Sequence, residues 1–113
     1  MSLLQENIAF KPFAYPWAME YAVKHEEIHW GEHEAKLQDD VTQWQTKLTA
    51  QEKDHITQIL RLFTQSDVAV GRNYLEHYIP KFKNKEIRAM LTSFANREFV
   101  HQRSYALLND TLG

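Results

Sequence analysis

No cysteine occurs in the 113 residues, so neither a disulfide nor a thiolate-bound metal can hold this chain together. Glycine and proline are scarce, at three each, which argues against a loop-rich or disordered chain. No stretch approaches the roughly 20 consecutive apolar residues of a membrane span, so no membrane association is expected. The opening MSLLQENIAF has no cationic start followed by an apolar run, the pattern of a signal peptide. Neither sign of charge dominates: 13 Lys and Arg face 15 Asp and Glu, a net charge of -2 with His neutral. No bulk basic character directs the chain to nucleic acid or anionic lipid, and KFKNK at 81–85 is a small basic turn of the ordinary solvated kind. A cytoplasmic protein is the expectation.

What is present fits one soluble globular unit: 43% hydrophobic and 25% charged residues in a one-domain length. The six histidines and 15 acidic residues matter only where some of them converge. Residues 1–16 read as an irregular lead-in ending at Pro16. Residues 17–30, WAMEYAVKHEEIHW, form a short helix with Trp17, Tyr21 and Ile28 on its apolar side. Residues 31–48 are polar and read as a surface connection, with Trp44 and Leu48 pinning it down; Trp17 and Trp44 are assigned to packing. This divides the chain into an N-terminal segment, 1–48, and a helical hairpin, 49–113.

The hairpin has sharper signals. Thr49-Ala50-Gln51-Glu52 fits a capping box, in which a hydroxyl and a carboxylate satisfy the free N–H groups of a helix start. A helix should run from about 50 to 79 and stop before Pro80, roughly 45 Å at 1.5 Å per residue. Its stripe is Ile56, Leu60, Phe63, Asp67, Val70, Tyr74, alternating steps of four and three along one face. Asn84 can cap a second long helix, about 84–112. The stripe there is Ile87, Leu91, Phe94, Glu98, His101, Tyr105, Leu108, and Gly113 stands where a helix C-terminal glycine belongs. The short turn between them makes the two helices antiparallel neighbours.

Polar residues interrupt both stripes: Asp67 in the first, Glu98, His101 and Tyr105 in the second. A carboxylate facing a core is costly unless it is paired or bound to metal. Glu98-x-x-His101 puts both side chains on adjacent turns of one face. On an inward face this is the repeating unit of di-iron and di-manganese carboxylate bundles, where two helices each give one carboxylate and two each give Glu-x-x-His. Asp67 would be the single carboxylate and Glu98/His101 the pair, an oxygen and imidazole set that suits iron or manganese. Each residue alone has an ordinary explanation: Glu-x-x-His arises by chance on solvated faces, a lone Asp can be ion-paired, and a Tyr at helical spacing is most often core. Together, on paired stripes, they point to a metal site.

The segment RLFTQSDVAV around Asp67 and the run NREFVHQRSY from Asn96 to Tyr105 resemble the small, radical-bearing subunit of class I ribonucleotide reductase. So do IHW ending at Trp30 and the later Asp39-Asp40-Val-Thr-Gln-Trp44. The resemblance covers Pro16 to Gly113, and Glu-x-x-His-x-x-x-Tyr with Arg-Ser before the Tyr is its most specific part. It implies an all-α, ferritin-like four-helix-bundle half: two long antiparallel helices plus a shorter N-terminal one. It implies Asp67, Glu98 and His101 as ligands of two iron ions, with manganese as the alternative. Tyr105 falls on the tyrosine oxidised to a stable radical. Trp30 falls on the tryptophan that relays an electron between the metal site and the large catalytic subunit; a packing aromatic is the competing explanation there.

The family's catalytic domain continues with further helices bearing a Glu and a second Glu-x-x-His, and with a C-terminal tail that docks the large subunit. Three ligands from one side cannot close a two-metal site. The chain is therefore expected to be a naturally split subunit, one part of an interrupted gene, or a truncated piece. It would be inactive alone and would need the C-terminal half, the large subunit and dimerisation of the assembled small subunit. Two other functions compete: a ferritin-like di-iron oxidase fragment, against which Tyr105 and its QRSY context argue, and a non-catalytic regulatory relative of the reductase subunit.

Overall fold

A computed structural model describes residues 2–113, whose regular structure is all helical, with no strand among them. Five α-helical segments follow in order: α1 Pro16–Glu27, α2 Gln38–Thr46, α3 Ala50–Asn73, α4 Ile79–Lys81 and α5 Lys85–Leu112. No helix is long and apolar enough to cross a membrane. The body is elongated, 59 × 25 × 16 Å, and α5 is its spine, with α3 and α1 both packed against it.

The helix starts follow their local chemistry. Thr49 Oγ1 accepts from Glu52 N at 3.2 Å, and Glu52 Oε2 accepts from Thr49 N at 2.8 Å, which is the reciprocal capping box at the head of α3. Asn84 Oδ1 accepts from Glu86 N at 3.0 Å and Ile87 N at 3.3 Å at the head of α5. Gly113, at φ +90, ends α5 and donates to the Asn109 carbonyl.

Three expectations need correction. The first helix ends at Glu27, not at residue 30. Ile28 leaves helical geometry at ψ 15, and Gly31 is extended, so Trp30 lies in a link rather than on a helix. The 31–48 stretch is more than a connection: it contains a 3-10 turn, Glu32–Glu34, and the nine-residue α2. The sequence did carry that signal. Leu37, Val41, Trp44 and Leu48 follow a four-three-four spacing, and these are the residues that become half-buried there. Asp39 and Asp40 fall in the first turn, where negative charge suits the helix dipole.

The third correction concerns Pro80. The helical path does not stop before it but continues to Lys81 through a π-helical turn, Tyr74–Tyr78. Proline removes an N–H and crowds the carbonyl four residues back. The π turn holds one residue more than an α turn, with Ile79 N bonding to the Tyr74 carbonyl, and so gives Pro80 room to follow. Arg88 reaches back from α5, its Nε 3.0 Å from the Ile79 carbonyl and 3.1 Å from that of Phe82, which satisfies acceptors at this helix end.

The buried apolar core among the described residues is Ala18, Ala22, Ile87 and Val100. Leu62, Phe63, Leu75 and Phe99 are instead exposed, and Trp17 is 45% exposed with its ring edge-on to Tyr15 rather than in a core. The lead-in has its own anchor. Glu86, fully buried, accepts from Ala14 N at 2.8 Å and Asn7 Nδ2 at 3.2 Å, and Lys85 Nζ lies 3.5 Å away. Burial alone would push its carboxyl up; the backbone N–H bonds, the Asn7 amide and the Lys85 ammonium outweigh burial and hold it below the usual carboxylate range.

Candidate metal centre

Antiparallel packing of α3 on α5 puts Asp67 opposite Glu98 and His101. Each of the three offers one ligand atom, and these atoms lie within 4.8 Å of one another. His101 Nδ1 is 3.4 Å from Glu98 Oε2, the contact that the i, i+3 spacing allows. All three side chains are half-buried.

The helices approach closely here. Gly71, one turn beyond Asp67, is buried, and a Cβ on it would lie 3.4 Å from Gln102 Nε2 and 3.7 Å from Glu98 Cβ. Space exists for a methyl group and little more. Gln102 Nε2 donates to the Asp67 backbone carbonyl at 3.2 Å, which fixes the height of Asp67 along α5. Neither Gly71 nor Gln102 stood out in the sequence, because each gains its role from the facing helix.

The electrostatics favour a cation. Asp67 Oδ2 is buried without a hydrogen-bond partner. Burial pushes the Glu98 carboxyl above its usual range and the negative Asp67 pushes it further, while His101 pulls the other way. Two carboxylates forced together, one with an orphaned oxygen, satisfy each other only through a proton or a positive ion. Two oxygen ligands and an imidazole, with no thiolate, suit iron or manganese, so the residues fit such an ion.

Aromatic rings surround the cluster. The Tyr105 ring, one turn past His101, lies 5.8 Å from that of Phe63. Trp30 lies against His101, ring centroids 6.2 Å apart and planes at 32°. Tyr74, two turns past Asp67, packs edge-on to Phe94 at 6.3 Å. Its phenol is raised by burial and then by the charge of Glu98. The stripe named Tyr74 only as apolar lining; its electrostatic tie to Glu98 appears once the helices are paired.

Farther along α5, Arg97 Nη2 donates to the His25 carbonyl at 2.9 Å and Ser93 Oγ to that of Ala22 at 3.3 Å. Arg103 Nε pairs with Glu32 Oε1 at 3.1 Å. The Glu32 carboxyl is held low by a backbone N–H and, against partial burial, by Arg103 and His33.

A family model described as "Ribonucleotide reductase, small chain" matches residues 7–113. A probable ribonucleoside-diphosphate reductase small subunit of Invertebrate iridescent virus 6 is 42% identical over the whole chain, which covers 31% of that relative. Its counterpart in Invertebrate iridescent virus 3 is also 42% identical, over 99% of this chain and 30% of its own length. The ribonucleoside-diphosphate reductase small chain of Schizosaccharomyces pombe is 31% identical over 88% of this chain and 26% of its own. The chain thus spans about a third of the curated relatives it matches, aligned across nearly all of its own length, and it belongs to the ribonucleotide reductase small-chain family.

Proposed function

We propose that this chain supplies one half of a di-iron site and the radical tyrosine of a ribonucleoside-diphosphate reductase small subunit, used in reducing ribonucleotides to deoxyribonucleotides in the cytoplasm. The observation that carries this reading is the convergence of Asp67, Glu98 and His101 within 4.8 Å across two helices. Residues 49–113 act as the ligand-bearing hairpin, and 1–48 as the segment that brings Trp30 to it.

Asp67, Glu98 and His101 would hold the metal ions, the single carboxylate and the Glu-x-x-His pair of such a bundle. A bound iron pair supplies one-electron oxidising chemistry with dioxygen. The work of this chain is to place groups around it. Tyr105 offers a phenolic O–H that can give up an electron and a proton, and Phe63 covers its ring on one side. Trp30, stacked toward His101, offers a π-system between the ligand shell and the outer surface, through which an electron could pass between the large subunit and the oxidised site.

A second polypeptide segment completes the site. Three ligands do not close a two-metal centre. The exposed Phe63, Val70 and Phe99, with Val68 and Leu75 on the same helical pair, form the kind of apolar surface that marks an interface. The remaining half of the small subunit is the proposed occupant, and the assembled subunit dimerises.

The test is reconstitution with a polypeptide bearing the further Glu and Glu-x-x-His, ferrous iron and oxygen. A tyrosyl signal in electron paramagnetic resonance is the expected result. Iron uptake and oxidation without any tyrosyl signal would favour a ferritin-like oxidase fragment, and failure to take up iron would favour a regulatory relative.

A further inference from the structure

Trp30 has no helix of its own. It sits in the link between Glu27 and the 3-10 turn Glu32–Glu34, and it remains 38% exposed. Backbone hydrogen bonding alone does not hold an indole in such a link at a set distance from a ring on α5.

The anchors come from α5 itself. Before Trp30, Ser93 and Arg97 bond the carbonyls of Ala22 and His25 and so tie down the end of α1. After it, Arg103 pairs with Glu32 while its guanidinium lies 4.5 Å over the centre of the Phe99 ring. Glu34 closes the turn by accepting from Gly31 N at 2.8 Å. The link is thus stapled to α5 on both sides of Trp30, by the helix that carries His101.

We propose that Arg103, stacked on Phe99 and paired with Glu32, is a positioning residue that holds Trp30 against His101. The inference rests on the relay role proposed for Trp30 and deepens it, because transfer of an electron between two groups weakens steeply as they separate. A guanidinium meets both demands of such a contact, since its plane stacks on an aromatic face while its edge bonds a carboxylate; an ammonium cannot do both. The Arg103 side chain is 40% exposed and that of Glu32 16%, and an ion pair reached by solvent on one side adds only modestly to global stability. Removing it should release the link and leave the helices standing.

Fluorescence of Trp30 reads this directly. The full chain carrying Trp17→Phe and Trp44→Phe reports on Trp30 alone. Glu32→Gln or Arg103→Gln in that background should shift its emission to the red. The acrylamide quenching constant should rise about two-fold, as an indole now 38% exposed opens to solvent. Arg103→Lys should fall between, and the exchanged pair Glu32→Arg with Arg103→Glu should recover part of the protection. Unchanged quenching in both glutamine variants overturns the proposal. So does a loss of helix content by circular dichroism in those variants with no recovery in the exchanged pair, since the contact would then serve the fold alone. The measurement needs neither metal nor turnover. It is therefore separate from the relay role, which fails if Trp30→Phe leaves turnover intact.

Discussion

The Gln102 side-chain amide donates to the backbone carbonyl of Asp67 across the α3–α5 interface, at 3.2 Å. A helix carbonyl already serves its own ladder, so this second bond sets register between helices rather than helix content. It holds Asp67 at the level of Glu98 and His101, and Gly71 allows the approach that makes it reachable.

Loss of that bond should loosen the site more than the fold. Gln102→Ala should destabilise the reconstituted protein by about 1 kcal/mol, the usual net value of one hydrogen bond, and weaken metal binding. Gly71→Leu should do more, because its branched side chain has to displace Gln102 or Glu98. Denaturant titration alongside metal stoichiometry checks both. Full metal loading in Gly71→Leu would contradict the close approach described here.

Metal binding and radical formation should separate by residue. Glu98→Ala removes one of the proposed metal ligands, so loading itself should fail. Tyr105→Phe keeps nearly all the packing volume but no O–H, so metal should bind while the tyrosyl signal disappears. Trp30→Phe should spare both metal and resting signal and impair ribonucleotide reduction. Metal analysis and electron paramagnetic resonance on the three variants decide it. A normal tyrosyl signal in Tyr105→Phe would move the radical to another residue, and Tyr74 is the first to examine, since it lies within the electrostatic reach of Glu98.

Acid should detach the lead-in. The Glu86 carboxyl is held below its usual range in the folded chain, so the folded state binds its proton more weakly than the unfolded state does. Its contribution is complete above the unfolded value of 4.5 and is lost as pH falls through the lower folded value. The protection factors of the amides of Ala14 and Lys85, whose N–H groups bond Glu86 and Asn7, should fall over that interval. Glu86→Gln should show low protection at every pH, because its amide has one acceptor oxygen where the carboxylate offers two and turns a donor toward the other N–H group. Protection at Ala14 that does not change between pH 6 and acid would refute the role given to Glu86.

Assembly should govern stability. With Leu62, Phe63, Leu75 and Phe99 exposed, the isolated chain should self-associate or unfold with low cooperativity. Co-expression with the complementary half should give one cooperative transition. Sedimentation and calorimetry on the two preparations test this. A dilute, monomeric, sharply melting isolated chain would contradict it.

Much of this architecture was legible in the residues. The Thr49–Glu52 box and the Asn84 cap mark helix starts because capping is settled within three residues of chain. The two stripes fix which faces meet, and Asp67, Glu98 and His101 interrupt those stripes. Their convergence therefore follows from helical periodicity and a short turn alone. Other features were decided only by tertiary structure. The helical path passes Pro80 because a π turn makes room for it and Arg88 on another helix satisfies its carbonyls. Glu86, an unremarkable first-turn acid in sequence, is buried because Asn7 and Ala14, more than 70 positions away, return to bond it. Gln102, Arg103 and Glu32 likewise gain their partners from other segments. Local hydrogen bonding and periodicity are properties of neighbouring residues, and a linear sequence records them. The partner of a buried charge is a property of packing, which exists only once distant segments share one surface.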